Sequence, residues 1–174
     1  LIITDVHIGM DNTGDSNTVP LYAEIKYDKD EILRRLAKVI THVVINQKGN
    51  HLFIDNLGDL LDGERGQTTR GGHALPQLMS DKESYDTAVK FQVTLAETLL
   101  NYYDTITFNN IINDNHSFLF AYFVHSATKQ ILENKFPNRI TYNNHERFIS
   151  HYSIGNHTFV ITHGKDSKEM KHGM

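Results

Sequence analysis

The stretch His51-Leu52-Phe53-Ile54-Asp55-Asn56-Leu57-Gly58-Asp59 decides how this chain is read. Gly49-Asn50 turns into it, its apolar and β-prone residues read as a strand, and the strand runs straight into Gly58-Asp59. On its N-terminal side, Ile32, Leu33, Leu36, Val39, Ile40 and Val43 recur at the three-and-four spacing of an amphipathic helix over Asp28 to Val44, with Asp28 or Asp30 as N-cap. Before that helix stand a loop rich in Gly, Asn and Asp and the short β-prone run Leu1-Ile2-Ile3. On its C-terminal side a glycine-rich loop from Asp62 to Ser80 leads to a second helix, capped by Ser80 or Asp81 and running to about Tyr103, with Ala88, Phe91, Leu95, Leu99 and Tyr102 on one side. Thr105 to Ile112 is strand-like, Ser117 to about Lys135 is a third helix, and Phe148 to Ile154 and Thr158 to Thr162 flank a Gly155-Asn156 hairpin signal. The order β-α-β-α-β-α-β-β predicts an α/β layered sheet whose first strands are parallel.

The 174 residues suffice for one domain with a real core. With 39% hydrophobic and 22% charged residues the chain has a globular composition, and no apolar run reaches bilayer length, so no membrane partner is expected. The absence of cysteine excludes disulfides, thiolate metal sites and a cysteine nucleophile, and fits a cytoplasmic location. A net charge of -4 gives no global basic footprint for nucleic acid. No signal peptide is visible, and the start in mid-strand and the Lys-rich end suggest a fragment of a longer domain.

In a parallel α/β sheet, ligands gather beyond the carboxyl ends of the strands. Asp5 and His7, Asp59, Asn115 and His116, and His163 each stand just after a strand-like segment, so folding should carry all of them to one edge. Taken singly, Asp5 reads as a turn cap and His7 as a packed side chain; four such groups in one context read as a site. Asp62 is expected to orient a ligand without touching metal. A literal Gly155-Asn156-His157 also occurs, but it falls at a hairpin tip, whereas Asn115 lies between a strand and a helix.

Thr4-Asp5-Val6-His7, Gly58-Asp59-Leu60-Leu61-Asp62, Asp114-Asn115-His116-Ser117 and Thr162-His163-Gly164 together resemble the calcineurin-like metallophosphoesterase superfamily over almost the whole chain. The resemblance implies an α-β-β-α sandwich, one domain over residues 1–174, incomplete at the C-terminus because the final Gly-His-x-His motif is absent. It implies two divalent ions, Mn²⁺, Fe, Zn²⁺, Co²⁺ or Ni²⁺, held by Asp5 and His7 on one side and by Asn115 and His163 on the other, with Asp59 bridging. Asp59 and His116 would be the catalytic pair. His116 would steady the transition state or protonate the leaving oxygen while a hydroxide bridging the metals attacks a phosphomonoester or phosphodiester. The same resemblance admits a DNA nuclease of the double-strand-break-repair type, with nucleic acid as partner, and a non-catalytic binding scaffold with a decayed metal site.

Three departures from the family pattern matter. Ser117 replaces the acidic residue that pairs with the catalytic His, so His116 must find its partner elsewhere, in Asp114 or Asp62. Asp114 stands where Gly is usual and would have to tolerate left-handed backbone. His172 is the sole later histidine and has the wrong flanks to replace the missing motif. In the glycine-rich loop, Arg65, Arg70 and His73 are candidates to grip a substrate phosphate, against the reading of a solvated loop, and Lys165 is placed similarly. His42, His51, His125, His145, His151 and His157 read as surface or partly packed, and Phe118, Phe120, Tyr122 and Phe123 as core.

Overall fold

The computed structural model describes residues 1–13, 26–69 and 71–164. In chain order these form β1 (Ile2–Ile3), α1 (Lys29–Asn46), β2 (His51–Asn56), α2 (Asp81–Leu99), β3 (Thr105–Ile111), α3 (Phe118–Lys135), β4 (Ile140–His145), β5 (Ile149–Ile154) and β6 (His157–Thr162). The protein is mixed α/β: β1 to β4 make a parallel sheet in the order β1-β2-β3-β4, and β5 and β6 make a separate antiparallel pair. No described helix is long and apolar enough to cross a membrane.

The helix starts follow from side chains that accept orphan amide protons. Asp28 takes the N–H groups of Asp30 and Glu31, and Ser80 forms a reciprocal capping box with Glu83. Sequential parallel strands joined by helical crossovers place the helices on one face, and α1 packs on α2 and α2 on α3. Leu52, Ile54, Ile106, Phe108, Ile140 and Tyr142 meet Leu36, Ile40, Leu95, Leu99, Val124 and Leu132 in one core. Each such fully buried aliphatic or aromatic side chain contributes about 1.5–3 kcal/mol, which holds the strand ends in fixed register.

The alternate residues of the strands face the other way and are mostly polar. Asp55, Asn109 and Asn143 are aligned across β2, β3 and β4. Asn143 donates to Asn109 Oδ1 at 3.1 Å and Asn109 to Asp55 Oδ1 at 2.9 Å, while the Tyr152 hydroxyl of β5 donates to Asp55 Oδ2 at 2.8 Å. Phe53 stacks on Tyr152, and Tyr152 on Phe159, with ring centroids 5.2 and 5.3 Å apart. The hairpin is thus fastened over the polar face, where it delivers the end of β6 to the strand-end edge.

Several sequence expectations meet a different arrangement. Three strands follow α3 instead of two, because β4 satisfies its polar residues by the cross-strand amide ladder. The layers present among the described residues are helices, parallel sheet and hairpin; the second helical layer of an α-β-β-α sandwich is not among them. α2 ends at Leu99, so Tyr102 falls past the helix and is exposed while Tyr103 is buried in its place. Tyr122 and Phe123, expected in the core, are 42% and 52% exposed, because α3 presents Ala121, Val124 and Thr128 inward. Phe120 is partly buried against the core, and the Phe118 side chain lies outside the described set. Of the histidines read as surface or partly packed, His125 is instead fully buried.

Candidate metal centre

Beyond β1 and β2 the backbones continue side by side in a distorted pairing: Asp5 N–H donates to Gly58 O, His7 N–H to Asp59 O and Ile8 N–H to Leu60 O. Asp5, His7 and Asp59 all adopt left-handed backbone, with φ of 52°, 50° and 51°. For residues with a Cβ this is uncommon, and each instance costs on the order of 1 kcal/mol. This backbone turns the three polar side chains toward the same edge. Asp114, by contrast, is not among the positive-φ residues, which corrects the expectation drawn from its place in the motif. Its carboxylate is used as an acceptor instead: Oδ1 takes the amide protons of His116 and Ser117, at 3.1 and 2.7 Å, and Oδ2 takes that of Asp59 at 3.2 Å. One side chain thereby shapes the turn before α3 and ties the β2 and β3 loops together.

The structure brings together Asp5, His7, Asp59, Asn115, His116 and His163. Asp59 is 3% exposed and central. Its Oδ2 lies 4.0 Å from His7 Nε2 and 3.8 Å from His116 Nε2, and its Oδ1 lies 3.5 Å from His163 Nε2. His7 Nε2 is also 3.7 Å from Asp5 Oδ1, and His163 Nε2 is 2.8 Å from Asn115 Oδ1. Ligand atoms of His7, Asp59 and His116 all fall within 4.8 Å of one another.

The three rings share one tautomer. His7 Nδ1 meets Asp62 Oδ1 at 2.9 Å, His116 Nδ1 meets the Asp62 carbonyl at 2.8 Å, and His163 Nδ1 meets the Leu57 carbonyl at 2.9 Å. Carboxylate and carbonyl oxygens only accept, so each Nδ1 carries a proton, and a neutral ring then turns a bare Nε2 inward, toward Asp59 for His7 and His116 and toward both Asp59 and Asn115 Oδ1 for His163. The buried Asp59 Oδ1 has no hydrogen-bond donor. A buried acceptor without a donor is costly in a protein interior, and a cation or an added proton relieves that cost. Metal-binding histidines characteristically donate the second ring N–H to a carboxylate or carbonyl, as all three do here.

The electrostatics agree. Burial raises the Asp59 pKa and the Asp114 charge adds to this, only partly offset by His163, His116 and His7. Burial pulls the His7 pKa down, but the hydrogen bond to Asp62 and the charges of Asp62, Asp59 and Asp5 outweigh it and leave His7 above the ordinary imidazole value. The same negative field that draws a proton to His7 favours a bound cation.

Gly58 makes the close approach of His163 feasible. A Cβ there would meet His163 Nδ1 at 2.8 Å and Asp114 Cβ at 3.1 Å, and the φ of +106° already suits only glycine. The Asp62 carboxylate holds His7 and its carbonyl holds His116, giving His116 the partner that Ser117 does not supply.

Other candidates are placed elsewhere. The Arg65 side chain is 85% exposed, with its Nε 4.0 Å from Glu64 Oε1. His73 is exposed, its ring against Gly71. Arg70, Lys165 and His172 lie outside the described residues. Gly155-Asn156 forms the exposed two-residue turn between β5 and β6, closed by the Ile154–His157 pair. The glycine-rich segment is not a bare solvated loop: Thr69 donates its N–H to His116 O at 3.1 Å, Leu75 N–H to Gly66 O at 2.7 Å, and Thr68 N–H to His73 O at 2.9 Å. Thr69 and Gln77 were not singled out by sequence, because their partners are 46 and 15 residues away and no motif encodes them. No protein-family model, curated protein or solved structure matches the chain.

Proposed function

We propose that the protein is a metal-dependent phosphoesterase with a dinuclear centre. The observation that carries this is the donor balance at Asp59: a buried carboxylate without a donor on Oδ1, faced by three imidazoles whose protons all point away. The phosphoester class comes from the resemblance of the four motifs to the calcineurin-like metallophosphoesterases. The helical face, parallel sheet and hairpin support three layers of the corresponding α-β-β-α arrangement.

In this reading Asp5, His7 and Asp59 Oδ2 hold one ion, and Asn115, His163 and Asp59 Oδ1 the other, so that the two carboxylate oxygens divide the centre. Divalent ions bound there would supply Lewis-acid polarisation of a phosphoryl oxygen and activation of water. His116 keeps its Nδ1 proton on the Asp62 carbonyl and has Nε2 free on the inner side, the atom from which a proton would pass to the leaving oxygen. The same lone pair makes His116 a further donor beside His7. Asp62, braced from the far side, prevents either ring from turning.

The test is hydrolysis of a nitrophenyl phosphodiester by the chain with Mn²⁺, with Asp59→Asn as control and linear duplex DNA as a second substrate. The reading expects Mn²⁺-dependent release of nitrophenol that the substitution lowers by more than about a hundredfold, the loss of a ligand exceeding the 10–100-fold typical of groups behind the ligands. Equal rates in the two proteins overturn it.

A further inference from the structure

We infer that Gln77 is a positioning residue of this centre: through the Asp62 carboxylate it fixes the orientation of His7. The inference rests on the metal-binding reading above. Gln77 Nε2 donates to Asp62 Oδ2 at 2.8 Å, while the other oxygen of the same carboxylate, Oδ1, takes the His7 Nδ1 proton at 2.9 Å. A carboxylate held at one oxygen only can swing about its Cβ–Cγ bond. With both oxygens engaged it presents a fixed acceptor to the imidazole, and the bare Nε2 stays aimed at Asp59 and Asp5.

Gln77 is itself held in place by the segment that follows His7. It pairs with Met10 in an antiparallel bridge, and on either side Asp11 N–H donates to Pro76 O at 3.0 Å and Leu78 N–H to Gly9 O at 2.8 Å. Met10 N–H in turn donates to His7 O at 3.1 Å. Gly9 permits this approach: with φ +107°, a Cβ there would meet Gln77 Oε1 at 2.7 Å and Ser84 Oγ at 2.6 Å. The chain of contacts is closed. The loop bearing His7 positions Gln77, Gln77 fixes Asp62, and Asp62 returns to His7 and, through its carbonyl, to His116. The far end of the same glycine-rich segment holds the other ligand loop, where the Thr69 hydroxyl donates to Asn115 O at 3.4 Å.

The experiment is Mn²⁺ binding to the 174-residue chain by calorimetry, for the wild type, Gln77→Leu, Asp62→Asn and the double variant, with unfolding of each followed in the presence of a chelator. Gln77→Leu is expected to weaken Mn²⁺ binding about tenfold, at the low end of the range for groups that support ligands. It should weaken binding little further once Asp62→Asn is in place, because Gln77 acts through that carboxylate. Wild-type binding with unchanged affinity in Gln77→Leu, or full additivity in the double variant, overturns the inference and leaves the metal-binding reading standing. No Mn²⁺ binding by the wild type overturns both. Should Gln77→Leu not fold, Gln77→Glu keeps the shape while placing a second carboxylate against Asp62. The same loss is then expected, and undiminished binding contradicts it.

Discussion

Two buried polar clusters in this protein differ in how their acceptors are arranged. Between α2, α3 and β4, His125 Nδ1 lies 2.9 Å from the Tyr142 hydroxyl, which donates in turn to Gln92 Oε1. With its hydroxyl proton given to Gln92, Tyr142 accepts from His125, so donors and acceptors alternate. One donor, Gln92 Nε2, and one acceptor, Asn110 Oδ1, are left at the margins. At the strand ends, by contrast, Asp59 faces three bare Nε2 atoms and no proton lies between them. Burial of polar groups is common to both clusters and so says nothing about function. Both also leave buried atoms unpartnered, Gln92 Nε2 and Asn110 Oδ1 in one and Asp59 Oδ1 in the other, so what separates them is the convergence of three imidazole Nε2 atoms on one carboxylate.

The contrast breaks most readily at Asp59. Asn is nearly isosteric, carries no charge and brings an N–H₂ group that can donate to the bare Nε2 atoms. Asp59→Asn should therefore stabilise the chelator-treated protein by about 1 kcal/mol while removing the gain in stability that Mn²⁺ gives the wild type. Urea unfolding with chelator and with Mn²⁺ reads both effects, and a variant less stable than wild type without metal would contradict the donor balance.

The Tyr142 cluster predicts a different signature, in pH. Burial lowers the His125 pKa from 6.5 to about 3. The unfolded chain takes up its proton near the higher value and the folded chain only near the lower one. Stability that is complete above the unfolded pKa is thus lost as pH falls through this window. His125→Gln should cost about 1–3 kcal/mol near neutrality, flatten the acid slope of the urea midpoint across the window, and leave Mn²⁺ affinity unchanged. A change in Mn²⁺ affinity would mean that the two clusters are not independent.

The elements that carry the centre were legible in sequence wherever the signal is local. The strand running into Gly58-Asp59, the periodicity of α1, and the caps at Asp28 and Ser80 depend on neighbours a few residues apart. What was hidden depends on distant partners. β4 is not singled out as a strand of its own in the alternating pattern that begins at Ile140, because Asn143 and Asn144 have poor strand propensity and are held in the sheet beside Asn109 and Asn110. Asp114 reads as a backbone exception, yet it works as a three-fold acceptor because Asp59 arrives from 55 residues away. Tyr122 and Phe123 read as core because aromatic residues surround α3, so its periodicity does not say which side is covered. The candidate residues were visible as types at strand ends, but the orientation of their rings appears only with Asp62 and Leu57 in place.

The most direct test is long-range ¹⁵N–¹H correlation of the imidazole rings above neutral pH, before and after addition of Zn²⁺. The account predicts His7, His116 and His163 as Nδ1–H tautomers whose Nε2 resonances include at least those of His7 and His163 moving on metal addition, with His125 unmoved. Nε2–H tautomers at His7 and His163, or Nε2 resonances that ignore the metal, would contradict it.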